Sequence, residues 1–496
     1  MTAADLILAV DQGTTSTRAI AFDRSLRPVA SASRRLETTH PQPGWVEEDP
    51  EAIVASVVEA VAEVVATVGG PRRIACAGLD NQGETVVAWD AETGAALAPA
   101  IVWQCRRSLA IVERLRADGH EPRIRAPTGL PLDPYFSAGK MTWLLEESEA
   151  VRAAARRGTL RFGTVDAWLT FRLGDSGALT DPSTASRTQL FGLRSLDWEA
   201  PMLDLFGVSR ETLPRVVPTA GDGGTIGHPS WGGSLRLTAL ACDQQAALAG
   251  HGAFAPAALK ATYGTGVFVL ANAGASAPTA DAVEASVAWR LPDGALSYVL
   301  QGGVLTAGAL LDWLRDDVGL IADPAETETL ARSVANTAGA WFLPALSGLG
   351  APWYRGEARA AVVGLTLAVD RRHIARAALD GIAHRTCDVI EAILPALAGP
   401  PAALRVDGGL TANGYLMERQ ADLLGLPVEV ATALESTALG IAGLAGIGAG
   451  LLEVGAIAAA NPVARRFEPR MRALERTAER AAWRRFVEAV TGGGTV

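Results

Sequence analysis

The chain has 496 residues, 49% of them hydrophobic and 20% charged, a length and composition suited to two or three domains with sizeable cores. Lys+Arg 44 against Asp+Glu 54 leaves a formal charge of −10, which argues against nucleic acid or an anionic membrane as the main partner. The four cysteines, Cys76, Cys105, Cys242 and Cys387, are scattered without a C-x-x-C pair. They exclude a disulfide scaffold, make a structural zinc site unexpected and fit a reducing, cytoplasmic compartment.

In chain order, Leu6–Val10 is a short apolar run ending at Asp11. The polar turn Asp11-Gln12-Gly13-Thr14-Thr15-Ser16 follows, and Arg18–Phe22 is apolar again. The pattern predicts strand, tight turn, strand. With Asp5 and Asp11 and no basic region, this start does not read as a signal peptide. Asp49 as N-cap and Pro50 as first residue open a helix whose stripe Ile53, Val54, Val57, Val58, Val61, Val64 and Val65 stops at Gly69-Gly70. Ile74–Leu79 and Thr85–Trp89 read as buried strands, and strands alternating with amphipathic helices predict an α/β domain. The second half starts similarly. Leu235–Ala241 is strand-like, Cys242-Asp243-Gln244-Gln245 opens an alanine-rich helix, and Thr262-Tyr263-Gly264-Thr265-Gly266 leads into the strand-like Val267–Leu270. Two Gly-Thr turns, each entering an apolar strand, hint at an internal duplication: two related α/β domains, residues 1–247 and 248–496, with a cleft between them. Ala438–Leu452 is apolar and rich in Ala and Gly, shorter than the ~20 residues of a membrane span. It reads as a buried helix, so no membrane insertion is expected.

Lys140 and Lys260 are the only lysines. Gly139-Lys140 is followed by Met141 rather than Ser or Thr, His384-Arg385 is followed by Thr386, and no Asp-Phe-Gly occurs. Neither a P-loop nor a protein-kinase site is present. No lysine-based phosphate site is expected, and Lys140 should be dispensable for turnover. In Asp11–Ser16 glycine permits the turn, hydroxyls and backbone N–H groups can cradle phosphate oxygens, and the aspartate can hold Mg²⁺; an ordinary hairpin is the alternative. Asp243 lies between a strand and a helix, where α/β proteins place catalytic groups; a helix N-cap is its alternative. Gly408-Gly409-Leu410-Thr411-Ala412-Asn413-Gly414, after Leu404–Val406, lets a planar base lie against backbone, or is a simple strand-to-helix turn. Glu84, in Asn81-Gln82-Gly83-Glu84-Thr85 between two strands, has a solvated surface charge as its default. Core packing is the default for Trp103 and Tyr135.

These segments are joined by Pro43-Gly44-Trp45-Val46-Glu47, Ile101–Arg107, Asp133-Pro134-Tyr135-Phe136-Ser137, Phe162–Asp166, Ala185-Ser186-Arg187-Thr188, Asp243–Leu248, Gly348–Pro352 and Arg405–Gly409. In order, along almost the whole chain, they resemble the FGGY carbohydrate kinases, most closely those acting on glycerol. The resemblance implies two related α/β domains of the actin/hexokinase (ribonuclease H-like) type around a central cleft. It implies ATP, with Mg²⁺, donating its γ-phosphoryl group to a primary hydroxyl of a small polyol, and a homo-oligomer, dimer or tetramer. By position it makes Asp243 the catalytic base and puts Asp11 and Asp243 around Mg²⁺. Thr14, Thr15, Ser16 and Arg18 match the first phosphate loop and Thr265 the second. Gly308, Asp312, Gly409 and Asn413 match the nucleoside side. Gly83, Glu84, Tyr135, Asp243 and Gln244 match the contacts to polyol hydroxyls, and Trp103 and Phe268 the aromatic walls.

The chain departs from that pattern in three places, the smallest being Trp353-Tyr354-Arg355-Gly356, where the family usually has a Tyr-Trp-Asp-Pro-like run. The glycerol-specific members have Gln-Arg-Glu where this chain has Gln82-Gly83-Glu84, so an arginine that donates to the polyol is missing, a loss of roughly 1.5–3 kcal/mol for a charged hydrogen bond. Weaker glycerol binding, another arginine in its place, or a longer substrate in vacated space all stay open. Where the space is vacant, Gly83→Arg should favour the shorter polyol. Asp312 stands where the family often has glutamine. The leading expectation is glycerol and ATP converted to sn-glycerol 3-phosphate and ADP, with a kinase for another small polyol or ketose as the alternative. A non-catalytic nucleotide-binding sensor ranks below both, because Asp11 and Asp243 are present.

Overall fold

A computed structural model describes residues 4–433 and 435–492. Leu6–Val10 is buried on both faces, which is why it reads as an unbroken apolar run instead of an alternating one. It forms β1 (Leu6–Gln12), antiparallel to β2 (Ser16–Phe22), which is antiparallel to β3 (Pro28–Arg35). On its other side β1 runs parallel to β4 (Ile74–Asn81). Beyond β4 come β5 (Thr225–His228) and β6 (Gly233–Cys242), β6 parallel to β4 and β5 antiparallel at the edge, giving the order β5-β6-β4-β1-β2-β3.

The second half builds β7 (Leu259–Tyr263), β8 (Val267–Gly274), β9 (Glu284–Arg290), β10 (Leu296–Val304), β11 (Leu404–Asp407), β12 (Val428–Ala431) and β13 (Val463–Phe467), in the order β9-β10-β8-β7-β11-β12-β13. Here β7 is antiparallel to β8, β8 to β10, and β7 runs parallel to β11, β11 to β12. Without the edge strands β5, β9 and β13, both sheets have the same five strands in the order third-second-first-fourth-fifth with the same directions. The two Gly-Thr turns occupy equivalent places, one joining β1 to β2 and the other β7 to β8. The duplication hinted at by the sequence is therefore present, as the expected pair of related α/β domains.

The helices explain how the halves meet. In α1 (Pro50–Thr67) Asp49 caps the first turn, accepting from Glu51 N at 2.9 Å. Its stripe Ile53, Val57, Val61 and Val64 packs under Leu6, Leu8 and Val10. Each fifth strand is followed by a helix: β6 directly by α2 (Asp243–Gly250) and, after α3 (Arg371–Ile393) has covered the second sheet, β12 by α4 (Ser436–Gly448). The apolar Ala438–Leu452 run is thus a buried helix, ending at Gly448. Its Ala438, Ile441 and Ala442 pack on Ile7 and Ala9 of β1, so a helix from the second half closes the other face of the first sheet. Thr85–Trp89, expected as one strand, is strand only over Val87–Asp90, which pairs with Leu160–Gly163 outside the two sheets. Among the described residues no helix is long and apolar enough to cross a membrane.

The equivalent helices α2 and α4 cross in direct backbone contact. A Cβ on Gly250 would lie 1.9 Å from Ser436 O, and one on Gly440 would lie 1.8 Å from Ala246 O. Overpacking of this kind costs about 1–3 kcal/mol. Gly440→Ala is therefore expected to lower the melting temperature, whereas Gly455→Ala, in a helix where a Cβ meets nothing within 4 Å, should be neutral or slightly stabilising. Equal melting of the two variants would remove the crossing as a constraint.

Candidate active site

Strands β1, β4 and β6 end at the same edge of the first sheet, and each end carries a carboxylate. Asp11 on β1 is in register with Asp80 on β4, Ala241 on β6 is paired with Asp80, and Asp243 follows β6 at the first position of α2. The carboxyl ends of parallel strands are where α/β sheets build sites. Asp80 is fully buried and neither of its oxygens is hydrogen-bonded. Burial, then the Asp11 charge, pushes Asp80 well above the usual carboxylate range. Burial also pushes Asp11 up, to about 6, with Asp243 adding to the push. Two facing carboxyls tolerate each other when one keeps its proton, and burial puts that proton on Asp80.

Asp243 is raised by burial as well. Its Oδ1 accepts from Gln244 N at 2.7 Å and from Cys242 Sγ at 3.4 Å. The cap position of α2 is Cys242 and Asp243 is the first residue inside the helix, so Asp243 is not the N-cap residue although its Oδ1 accepts from the second amide. Both bonds fall on Oδ1 and none on Oδ2. Across the cleft, the buried Lys260 on β7 donates to Gln244 Oε1 at 3.2 Å, and burial lowers its pKa against the pull of Asp407 and Asp243.

Glu84 is not a solvated surface charge. It is buried, in the left-handed region at φ 56°, and its Oε1 accepts from Arg187 Nε at 2.6 Å. Arg187 is itself buried and also donates to Ser286 Oγ at 3.0 Å and Glu284 Oε2 at 2.8 Å, with its guanidinium 5.1 Å from the Phe136 ring and 5.7 Å from Tyr135. Burial pushes Glu84 up to about 7, against the pull of Arg187. Trp103 stands edge-on to Tyr135 at 5.6 Å, and its Nε1 donates to Thr14 Oγ1 at 2.9 Å. Thr14 in turn donates to Gln82 Oε1 at 3.0 Å, and Gln82 Nε2 donates to Glu48 Oε2 at 2.8 Å. The structure thus brings Thr14, Glu84, Trp103, Tyr135, Asp243 and Gln244 into one neighbourhood at the strand ends. Phe268 lies apart from these rings on β8, with its ring 3.4 Å from where a Cβ of Gly303 would be.

One expectation needs correction here, and one residue has a place that the sequence did not suggest. The space in front of Gly83 is not vacant: a Cβ on Gly83 would meet Cys242 Sγ at 2.9 Å, so arginine cannot simply be added there. Lys140 is that residue. It is fully buried, donating to the carbonyls of Glu84 at 3.3 Å, Phe136 at 3.3 Å and Tyr135, and burial lowers its pKa to about 8.

On the phosphate side, Gly13 N donates to Ser16 O at 3.0 Å to close the first turn, and Thr15 and Ser16 stand at its rim. Arg18 forms an ion pair with Glu435, just ahead of α4. The second turn closes through Gly264 N to Gly266 O at 2.9 Å and leaves Thr265 exposed. The helix Gly308–Asp316 is fastened to it, with Gly308 N on Gly264 O at 3.0 Å and Ala309 N on Thr265 O at 3.1 Å. Glycine at 308 follows from that approach, since a Cβ would lie 2.6 Å from Gly264 O. Gly409 is open, with nothing within 4 Å of a Cβ. Asp312 is exposed and paired with Arg315 at 3.1 Å. Asn413 uses its carboxamide inside the fold, accepting from Leu416 N at 3.0 Å as the cap of the helix Gly414–Leu424 and donating to Thr327 Oγ1 at 3.1 Å.

Sequence reasoning missed Asp80, Arg187, Cys242 and Lys260. Asp80 carries the signal that singled out Asp11, an aspartate closing an apolar strand. Arg187 has no charged neighbour in sequence; Glu84 and Glu284 are 103 and 97 residues away.

Comparison with known proteins agrees with this arrangement. Residues 6–250 match the N-terminal domain, and residues 259–449 the C-terminal domain, of the FGGY family of carbohydrate kinases. The chain is 46% identical over 491 residues to a glycerol kinase of Citrifermentans bemidjiense, covering 98% of this chain and 99% of that one. It is 41% identical over 490 residues to glycerol kinase 2 of Thermotoga maritima, with 98% and 99% covered. Its fold is similar to the crystal structure of Plasmodium falciparum glycerol kinase with ADP, with a TM-score of 0.93, 31% identity and 99% of each chain covered. Matched in both of its domains and over almost its whole length, the chain belongs to the FGGY family of carbohydrate kinases.

Proposed function

We propose that this kinase transfers the γ-phosphoryl group of ATP to a primary hydroxyl of glycerol, giving sn-glycerol 3-phosphate and ADP. The observation that carries this reading is this grouping of side chains at the strand ends. Asp243, with Oδ1 held and Oδ2 free, stands beside the Arg187-fixed Glu84 and the Trp103–Tyr135 pair, the mixture of acceptors and apolar wall that a short polyol needs. The printed names of the glycerol kinase relatives support the same substrate. Residues 1–247 would supply the acceptor recess and first phosphate turn, and residues 248–496 the nucleotide side around Thr265, Gly308 and Gly409.

In this reaction Asp243 Oδ2 accepts the proton of the attacking hydroxyl as its oxygen bonds to the γ-phosphorus. The bond from that phosphorus to the β,γ-bridging oxygen breaks, and ADP leaves with the electron pair. Glu84 holds the remaining hydroxyls, and Trp103 and Tyr135 cover the carbon chain. Thr14, Thr15, Ser16 and Thr265 would hold phosphate oxygens. Closure of the domains excludes water that would otherwise take the phosphoryl group. Mg²⁺ fits the cleft floor, where Asp80 has unpartnered oxygens and burial has raised Asp11. Among the described residues no three ligand-type side chains could hold a metal by themselves, which suits an ion that keeps waters and binds through one or two carboxylates plus substrate phosphates. Held by Asp11 and Asp243, it would neutralise phosphate charge. Cys242 filling the space at Gly83 favours a compact acceptor over a longer polyol.

The test is ADP release across three- to six-carbon polyols and sugars. Glycerol should lead in kcat/KM, and a four-carbon or longer acceptor ahead of it would overturn the reading. Asp243→Asn should lower kcat by about 10²–10⁴, the range for a general base, while calorimetry still registers ATP binding; activity within tenfold of the parent would remove Asp243 from that role. Lys140→Ala should raise the polyol KM about tenfold by releasing the backbone carbonyls of Glu84 and Tyr135, with the KM for ATP unchanged. The opposite split would mark Lys140 as a phosphate ligand.

A further inference from the structure

The contact between Gly83 and Cys242 has a geometry that neither residue shows alone. Cys242 is the last residue of β6 and Gly83 follows β4, the strand beside it. The Cys242 backbone is pinned, its N donating to Ser183 Oγ at 2.9 Å, and its Sγ is directed toward Gly83. That direction carries it into the place of a side chain at 83, 2.9 Å from where a Cβ of Gly83 would stand, with Arg187 Cγ 3.9 Å from the same point. From there the thiol also donates to Asp243 Oδ1 at 3.4 Å. Gly83 is outside the left-handed region, so sterics at this contact, and not backbone strain, decide what position 83 can hold.

We propose that Cys242 and Gly83 together form one wall of the acceptor recess, Cys242 acting both as a positioning residue for Asp243 and as the group that limits acceptor length. Its thiol stands in for the side chain that position 83 lacks. The proposal rests on the polyol-kinase reading, and its consequences divide between the two jobs. The hydrogen bond to Oδ1 acts on the orientation of the base, which is felt in kcat. The bulk of Sγ acts on which acceptor fits, which is felt in the ratio of kcat/KM values.

The experiment compares Gly83→Ala, Cys242→Ala, Cys242→Ser, Cys242→Gly and the double variant Gly83→Ala with Cys242→Gly. Each is assayed on glycerol and on a four-carbon polyol, and each is melted. Cys242→Ala should lower kcat on glycerol roughly five- to tenfold, a lost neutral hydrogen bond, with KM little changed. Cys242→Ser, which keeps a donor, should recover most of it. Cys242→Gly should move the four-carbon to three-carbon kcat/KM ratio up about tenfold, the scale of one carbon in a pocket, and the double variant should bring the ratio back by rebuilding the wall from the other side. Gly83→Ala alone should lower melting by a few degrees, and Cys242→Gly should relieve that loss in the double variant. An unchanged kcat in Cys242→Ala, an unmoved ratio in Cys242→Gly, or strictly additive melting shifts overturns the proposal. If the unaltered protein phosphorylates neither polyol, the substrate reading falls, and the melting cycle still decides whether these residues share one wall.

Discussion

The architecture depends on one close crossing, where α2 and α4 meet with no room for a β-carbon on Gly250 or Gly440. Helices with ordinary side chains stay 8–10 Å apart; here backbone meets backbone. The two helices are equivalents, each leaving the fifth strand of its own sheet. The first residue of α2 is Asp243, and the residue just before α4 is Glu435, the partner of Arg18. The crossing that joins the domains therefore also fixes Asp243, the proposed base, and anchors the strand that follows the first Gly-Thr turn. Because α4 covers the β1 sheet while its own strand belongs to the other domain, and Lys260 of β7 reaches Gln244 of α2, the halves are tied at the floor of the cleft rather than at its rim.

That floor is short of compensation. Asp11, Asp80 and Asp243 are brought together by strand register, and Lys260 is the lysine drawn in against them. The result is carboxyls pushed upward by burial, with one another's charges adding to the push on Asp11 and Asp80, a kind of perturbation that clusters at functional sites. The second domain offers the contrast. Burial there would raise Asp388, yet Arg385 at 2.7 Å and Arg480 at 2.5 Å, with Trp353 and Trp483, hold it below the usual range. Every demand of that carboxylate is met within the fold, so it has nothing left for a ligand. The aspartates at the strand ends are unmet, and phosphate with a divalent cation would complete them.

The acceptor side follows a different logic, of rigid placement. Glu84 is gripped at its carboxylate by Arg187 and at its carbonyl by Lys140 and Ser137. Arg187 is in turn fixed by Glu284 and Ser286 from β9 and sits against Phe136 and Tyr135. Polar groups held in this way and left facing a recess reject acceptors that cannot pair with them, because an unmatched buried group is costly. Arg187, whose Cγ stands 3.9 Å from where a Cβ of Gly83 would be, is thus an arginine close to position 83 that binds Glu84.

The sequence by itself determined much of the first layer. The unbroken apolar run of β1, the Asp49–Pro50 start of α1, the buried Ala/Gly helix and the repeated Gly-Thr turns are local signals, set by burial on both faces, capping and the freedom of glycine, and each is readable in a window of a few residues. The resemblance carried by ordered motifs added the family and the two-domain fold. What only the tertiary structure decided were the meetings between residues far apart. Arg187 finds Glu84 and Glu284, Asp80 faces Asp11 across paired strands, Lys140 turns under Glu84, and Cys242 fills the place beside Gly83. Glu84 read as a surface charge and Gly83 as a gap because the partner that changes each lies some 100 residues or more away, at 103 for Arg187 and Glu84. Tertiary packing, not local propensity, brings such pairs together, and there burial and close packing set both the charge state of a carboxyl and the room beside it.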